Sequence, residues 1–442
     1  MKRSITVVLV SALALAGCGI FRGNDSKGPR TPTVGERLPV LTFEQKLEAD
    51  PALEGVLVVL PPAETNDSWT QPGGNATKSL GHLAGPANPT RAWEVSIGDG
   101  SSGRAELNAG PVIAGGKVYT IDISANVRAF DAASGRVLWS HRVEGAKKDR
   151  DTAFGGGVSV SGDKVFATTG YGVAVALNAS NGAQVWNVRL GGPLRGAPAV
   201  EGDRVYVMSQ DNQLFALNAA TGETLWDATG TAEQAGLLSA GAPAIALDTV
   251  VVGFSSGELN ALRVENGRVV WQDALARTGR TTALGALSDI DAPPVIDRGR
   301  VYAIGHGGRM AALELATGQR LWEQSLSGVS LPLVAGDYVY VVTIDAELVC
   351  MTRSDGKIKW VKQLPRYKKE KSKKDPLRWA GPLLVSDHLY LTGSNGQMLK
   401  VSPMDGTLQG TIKLPGRTYQ PPIAAGGTIY VLTDDGKLAA YR

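Results

Sequence analysis

Gly196-Ala-Pro-Ala-Val-Glu-Gly-Asp-Arg-Val-Tyr-Val207 opens a unit that runs on through Ser209-Gln-Asp-Asn-Gln-Leu-Phe-Ala-Leu-Asn218. The unit closes on Ala219-Ala-Thr-Gly-Glu-Thr-Leu-Trp226. Its Pro-x-Val segment reads as a short first strand and Val205-Tyr206 marks a second. Asp211-Asn212 is a polar turn, after which Leu214 to Leu217 alternates as a third strand. An Ala-x-x-Gly turn then leads into a fourth strand carrying Trp226.

The same punctuation recurs along the chain. Gly-x-x-x-Trp stands at Gly135/Trp139, Gly182/Trp186, Gly222/Trp226, Gly267/Trp271, Gly318/Trp322 and Gly356/Trp360, and a further copy at Gly406 has Gly410 in place of tryptophan. Upstream of these turns lie Val118-Tyr119, Val165-Phe166, Val205-Tyr206, Val301-Tyr302, Val339-Tyr340 and Leu389-Tyr390, with Ile429-Tyr430 in the last unit. Four antiparallel strands in each unit of about 44 residues predict an all-β fold, a β-propeller of four-stranded blades. No capping repeat stands at either end, which argues against an open solenoid.

The ends complement each other instead. The last unit, Gln420 to Arg442, stops after its third strand and lacks a tryptophan strand, while Arg91-Ala-Trp93-Glu-Val-Ser-Ile97 precedes the first full unit. An N-terminal strand that completes the last blade would pair two edges an open ring leaves bare. Seven full units and one composite unit predict eight blades over residues 91–442. Trp93, Trp139, Trp186, Trp226, Trp271, Trp322 and Trp360 are then structural repeat residues that fill the wedges between sheets.

Composition agrees with a turn-rich globular chain: 43% hydrophobic and 20% charged residues, with 55 glycines. The 45 basic residues against 42 acidic ones leave a net charge of +3, too balanced for a nucleic-acid partner. Met1 to Cys18 has the form of a targeting segment. Lys2 and Arg3 precede an apolar run from Ile5 to Ala16, too short to span a bilayer, and Leu15-Ala16-Gly17-Cys18 ends it. This resembles a lipobox. The expectation is a signal peptide over 1–17 and diacylation of Cys18, with Gly19 at the following position pointing to the outer membrane. Residues 18–90 are expected to hold the lipidated N-terminus, a Gly- and Pro-rich tether from Phe21 to about Pro39, and a short docking strand at Leu53 to Leu60. Cys350 is read as a small buried apolar residue.

The Ala-x-x-Gly-x-x-x-Trp repeat resembles that of the pyrroloquinoline-quinone propellers. One branch of that family, the quinoprotein dehydrogenases, holds quinone and calcium in the central channel, and many members carry a disulfide between adjacent cysteines. The other, the BamB family of outer-membrane β-barrel assembly lipoproteins, has the propeller without cofactor or catalysis. The chain resembles this second branch from lipobox to last strand, and it has no adjacent cysteines. The resemblance implies an outer-membrane scaffold on the periplasmic face, with BamA POTRA domains, other assembly-complex subunits and unfolded outer-membrane proteins as partners. Gly192-Pro-Leu194-Arg195-Gly196 is similar to the family's Leu-x-Leu-Arg-Gly segment, and Ser288-Asp289-Ile-Asp291 to its Ser-Asp-x-Asp segment. Both contact POTRA domains in that family. Gly192 stands where the first leucine would fall, so one apolar anchor is missing or replaced by Leu190.

Topology points the same way. Leu194 and Arg195 follow one tryptophan strand, and Asp289 and Asp291 occupy the equivalent connection two blades later. Such connections emerge on one face, so an exposed Leu194 flanked by both charges would suit a protein interface; a surface salt bridge is the plainer alternative. Ala276 to Asp291 and the basic stretch Arg366-Tyr-Lys-Lys-Glu-Lys-Ser-Lys-Lys374 extend the same rim. The latter is a solvated loop or a contact for an acidic partner or anionic lipid.

Catalytic signals fail. Gly253-Phe-Ser255-Ser-Gly257 fits a nucleophile elbow but spans two strands of a blade. Gly74-Asn-Ala-Thr-Lys78-Ser79 lacks the glycine a phosphate loop needs before lysine. His82, His141, His306 and His388 show no metal-ligand spacing. A non-enzymatic scaffold without cofactor is the expectation. A quinone-dependent dehydrogenase and a propeller that binds cell wall or carbohydrate are the alternatives.

Overall fold

The computed structural model describes residues 46–103, 105–145, 155–231, 241–275 and 289–442; Cys18, the tether and Ser288 lie outside them. Residues 47–442 form one compact unit. Eight four-stranded antiparallel sheets follow one another along the chain. Blade 1 spans Val112–Arg142, blade 2 Gly157–Arg189, blade 3 Ala199–Thr229 and blade 4 Ala244–Ala274. Blade 5 spans Val295–Gln324, blade 6 Leu333–Gln363 and blade 7 Trp379–Lys413. Blade 8 takes three strands from Ile423–Tyr441, and its outer strand is Arg91–Ser96, paired antiparallel with Lys437–Tyr441. The composite blade expected from the mismatched ends is therefore present. Thr90 and Arg442 extend the pairing by two backbone hydrogen bonds of 2.8 and 2.9 Å.

The Gly-x-x-x-Trp signature is a contact between neighbouring blades. Each tryptophan lies near the start of an outer strand, and all but Trp271, whose blade has Thr-Val-Val-Val-Gly as its second strand, pack against the second-strand aromatic of their own blade. Tyr119–Trp139 and Tyr206–Trp226 have ring centroids 5.9 and 5.8 Å apart. The indole Nε1 of Trp139 donates to Ala179 O at 3.1 Å, that of Trp271 to Leu315 O at 2.7 Å, and that of Trp360 to Pro403 O at 3.2 Å, each acceptor belonging to the next blade. The repeat glycine of that next blade sits directly over the ring, and its left-handed conformation closes the turn. Gly182 has φ +74°, and a Cβ there would meet Trp139 at 2.6 Å; Gly222 has φ +78°, with Trp186 at 2.8 Å. Only glycine meets both demands. Ring closure repeats the pattern, since Trp93 of blade 8 donates to Ala132 O at 3.2 Å and lies beneath Gly135 of blade 1.

This explains the exception at Gly410. A tryptophan there would need the turn between the third and outer strands of blade 8. Those two strands come from opposite ends of the chain, so no such turn exists.

The glycine contact makes a quantitative expectation. Gly222→Ala should destabilise the protein by roughly 2–5 kcal/mol, combining left-handed strain with overpacking against Trp186. Gly202→Ala, at φ +58° with nothing within 4 Å, should cost only about 1 kcal/mol. Urea unfolding of the two variants checks the difference.

Candidate functional site

In each blade the inner strand runs from what is here called the upper face to the lower face. Blade-to-blade connections and second-to-third-strand turns therefore share the upper face, while the other two turns share the lower. Leu194 and Arg195 lie between blades 2 and 3, and Asp289 and Asp291 between blades 4 and 5, all on connections of the upper face.

Leu194 is not an exposed anchor. It is fully buried in a cluster with Phe166, Trp186 and Val205. The connection dips beneath the second-to-third turn of blade 3: Leu194 bridges to Ser209, and Gln210 N donates to Pro193 O at 2.8 Å. Leu190 is half-buried and packed on the same cluster. Arg195 is only 6% exposed and its Nε donates to Gln210 Oε1 at 3.0 Å. A Cβ on Gly155 would fall 2.9 Å from Arg195 Cδ, so that glycine makes room for the arginine. Burial pulls the Arg195 guanidinium below its ordinary pKa. Asp289 is 1% exposed, its carbonyl accepting from His306 N at 2.9 Å, while Asp291 is half-buried. Gln210, which positions Arg195 and is itself exposed, was legible in the sequence only as part of a polar turn.

Further along this face, Ser255 Oγ donates to Asn212 Oδ1 at 2.9 Å, and Asn212 Nδ2 donates to Thr231 O at 2.6 Å. The serine of the elbow-like motif is thus a turn residue bonded to an amide. Arg366 to Lys374 forms an ordered hairpin, Tyr367–Lys369 pairing with Lys374–Pro376. Glu370 accepts from the backbone N–H of Arg366 and Tyr367 at its base. Cys350 is buried, and desolvation pushes its thiol well above the ordinary range.

The central channel holds a feature that the sequence does not announce. Residues 64–85 leave the outer surface and wind once round the axis, meeting the free edges of inner strands in ring order. Asn66 O accepts from Gly426 N in blade 8 at 2.7 Å. Trp69 exchanges two backbone bonds with Ile113 of blade 1, at 2.8 and 2.7 Å, and Thr70 O accepts from Val160 N of blade 2. The Gln71 side chain bonds both backbone groups of Val200 in blade 3, at 3.0 and 3.1 Å. Ala76 O and Thr77 O then accept from Ile245 of blade 4 and Ile296 of blade 5, both at 2.8 Å. Leu83 N donates to Leu384 O of blade 7 at 3.1 Å. The loop closes on itself, with Glu64 N donating to His82 O and Ala84 N to Glu64 O. One segment can reach free edges arranged radially only where they converge. The inner strands thereby satisfy backbone groups that a hollow channel would leave to water.

Lys78 stands at the centre of this loop. It is 2% exposed, its Nζ donates to Gln71 Oε1 at 3.0 Å, and desolvation lowers its pKa to about 7 against a smaller opposing pull from Glu201. The glycines of the phosphate-loop-like stretch serve tight turns here: Gly73 and Gly74 have φ +77° and +93°, with Lys78 and Leu80 packed against them. Among the described residues, no three His, Cys, Asp or Glu side chains stand together as a metal site.

Known proteins were compared with this chain. The family model for outer membrane protein assembly factor BamB matches residues 124–362. The outer membrane protein assembly factor BamB of Escherichia coli K12 is 31% identical over 354 residues, covering 79% of this chain and 87% of its own length. That of Salmonella typhimurium LT2 is 31% identical over 360 residues, covering 78% and 89%. Among solved structures, BamB from Moraxella catarrhalis superposes with a TM-score of 0.70 at 18% identity, covering 80% of this chain and all of that one. Quinohemoprotein alcohol dehydrogenase from Comamonas testosteroni gives 0.65 at 14% identity, covering 86% and 81%. At such identities the last two speak to the fold alone.

Proposed function

This chain belongs to the BamB family of outer membrane protein assembly factors, and from that premise we propose that it is a non-enzymatic scaffold acting in assembly of outer-membrane proteins. The lipid anchor is Cys18, the location is the periplasmic face of the outer membrane, and the partner is the POTRA region of BamA. The observation that carries the non-catalytic part is the loop round the axis. The chain's own residues 64–85 are hydrogen-bonded to inner strands around the axis, where the dehydrogenase branch would hold its cofactor. A quinone would have to displace those bonds and leave the strand edges unpaired, at a cost no single cofactor contact repays.

With the inner-strand edges engaged by that loop, recognition is assigned to the surface. On the upper face exposed Gln210 and half-buried Leu190 and Asp291 form the docking rim, with Arg195 directly beneath Gln210 and Leu194 and Asp289 as its buried supports. A cation held by a neighbouring amide over a glycine is pre-ordered and partly desolvated, and such arginines carry much of the affinity in protein interfaces. Binding of purified BamA POTRA domains tests the reading. Arg195→Ala should weaken binding by about tenfold or more while the thermal midpoint stays near wild type; Asp291→Ala should act in the same direction. Absence of wild-type binding would remove the partner, and full affinity in a folded Arg195→Ala protein would move the site elsewhere.

A further inference from the structure

We propose that Val56–Leu60 is a membrane-contacting strip, seated in the hydrocarbon edge of the same bilayer that holds the lipid of Cys18. The inference rests on the anchor reading given above and assigns to that anchor a second, protein-borne contact.

Val56-Leu-Val-Val-Leu60 is apolar on both sides of an extended segment. Val58, 6% exposed, packs inward with Tyr338, Tyr340, Trp379 and Leu384. Leu57 and Val59 point the other way and are 81% and 72% exposed, with Val56 at 45%. Single exposed aliphatics are ordinary, but adjacent ones on a held segment are not. This segment, which follows a short 3-10 turn at Pro51–Leu53 and pairs with no strand among the described residues, is held by other contacts. Tyr338 Oη donates to Leu57 O at 3.2 Å, Asp50 N donates to Ile358 O at 2.8 Å, and His82 Nδ1 lies 2.7 Å from Pro61 O. Leu57 and Val59 thus cannot turn inward without breaking the docking that Val58 makes.

Two observations select a bilayer as the occupant. No charged residue lies between Glu54 and Glu64, so the strip offers nothing to the charges that rim most protein interfaces. It also lies where the described chain begins, a short way beyond Leu47, and the residues before Leu47 lead back to Cys18. The segment from Asp50 to Leu57 bonds lower-face features of blade 6, the start of the outer strand at Ile358 and of the second strand at Tyr338. Leu247, 91% exposed in the first turn of blade 4, is on that same face. With that face against the membrane, the upper rim is directed away from it.

The test uses the full, acylated protein in vesicles of phosphatidylethanolamine and phosphatidylglycerol. An environment-sensitive fluorophore is attached at Leu57→Cys, Val59→Cys or, on the upper-face hairpin, Lys371→Cys. Buried Cys350 and acylated Cys18 do not compete for the label. The expected result is blue-shifted emission at 57 and 59, quenched by brominated acyl chains, with neither effect at 371. Water-like emission at 57 and 59 in protein that floats with the vesicles would overturn the proposal while the anchor stands. A blue shift that follows protein density and resists brominated lipid would overturn it in favour of a second copy of the chain. Lack of acylation by intact mass, with no flotation, would remove the anchor reading and this inference together.

Discussion

Replacing Arg91–Ser96 with a glycine–serine stretch of equal length is expected to abolish the folded monomer. That strand closes blade 8, pairing with Lys437–Tyr441, and brings Trp93 beneath Gly135 of blade 1. Its loss removes a partly buried indole, worth about 2 kcal/mol. It also exposes the long edge of Lys437–Tyr441 and unseats the contact between blades 8 and 1. Arg442, whose Nη2 donates to Ala132 O and Ala133 O at 3.0 Å, cannot hold that seam alone. Bare edges pair with other chains, so light scattering behind gel filtration should find oligomers and aggregate in place of monomer. Recovery of a monomer with wild-type thermal stability would show that the ring closes without its composite blade.

Lys78→Met is expected to stabilise the protein at pH 6–7 and to flatten part of its stability–pH profile. Burial lowers the folded pKa of Lys78 from 10.5 to about 7, so between those values the unfolded chain binds more protons than the native one. Stability therefore rises with pH across that window, and the whole penalty is present below it. The shift corresponds to a cost on the order of 5 kcal/mol. Methionine matches the stem without the charge, and Gln71 Oε1 still accepts from Val200 N. A net gain of about 2 kcal/mol at pH 6–7, fading towards pH 10, is the expected outcome after the lost hydrogen bond is set against it. Denaturant unfolding at pH 6, 8 and 10 reads it directly, and an unchanged pH slope in the variant would show that the native amine is not desolvated as placed.

Those two expectations differ in how far the chain alone disclosed them. The closing strand was legible because Gly-x-x-x-Trp is a local code for one interblade contact, and its imbalance at the two ends pointed to a shared blade. Gly410 broke the code for a reason only the assembled ring supplies. The loop at 64–85 was hidden for a different cause. It bonds the inner strands mainly through backbone atoms, and carbonyls and amides are the same in every residue. Its partners also lie tens to hundreds of positions away, so no period marks it. The proposed docking rim was half legible: the sequence assigned Arg195 to an upper-face connection, but the burial of Leu194 depends on the Ser209–Asn212 turn folding over it. Gln210 carried no signal beyond polarity.

The route of the chain has a mechanical meaning. Between the expected anchor at Cys18 and the closing strand at Arg91 lies the loop wound round the axis, so the three are in series. Tension on the anchor meets the docked segment at Asp50 to Pro61 and then the loop, where backbone bonds to several blades share the load. The outer strand of blade 8 is loaded only after that loop yields. A propeller with its closing strand next to its tether would be unzipped from that edge, one bond at a time. Here the axle shields the seam, and a pull on the lipid becomes a force spread over the whole ring.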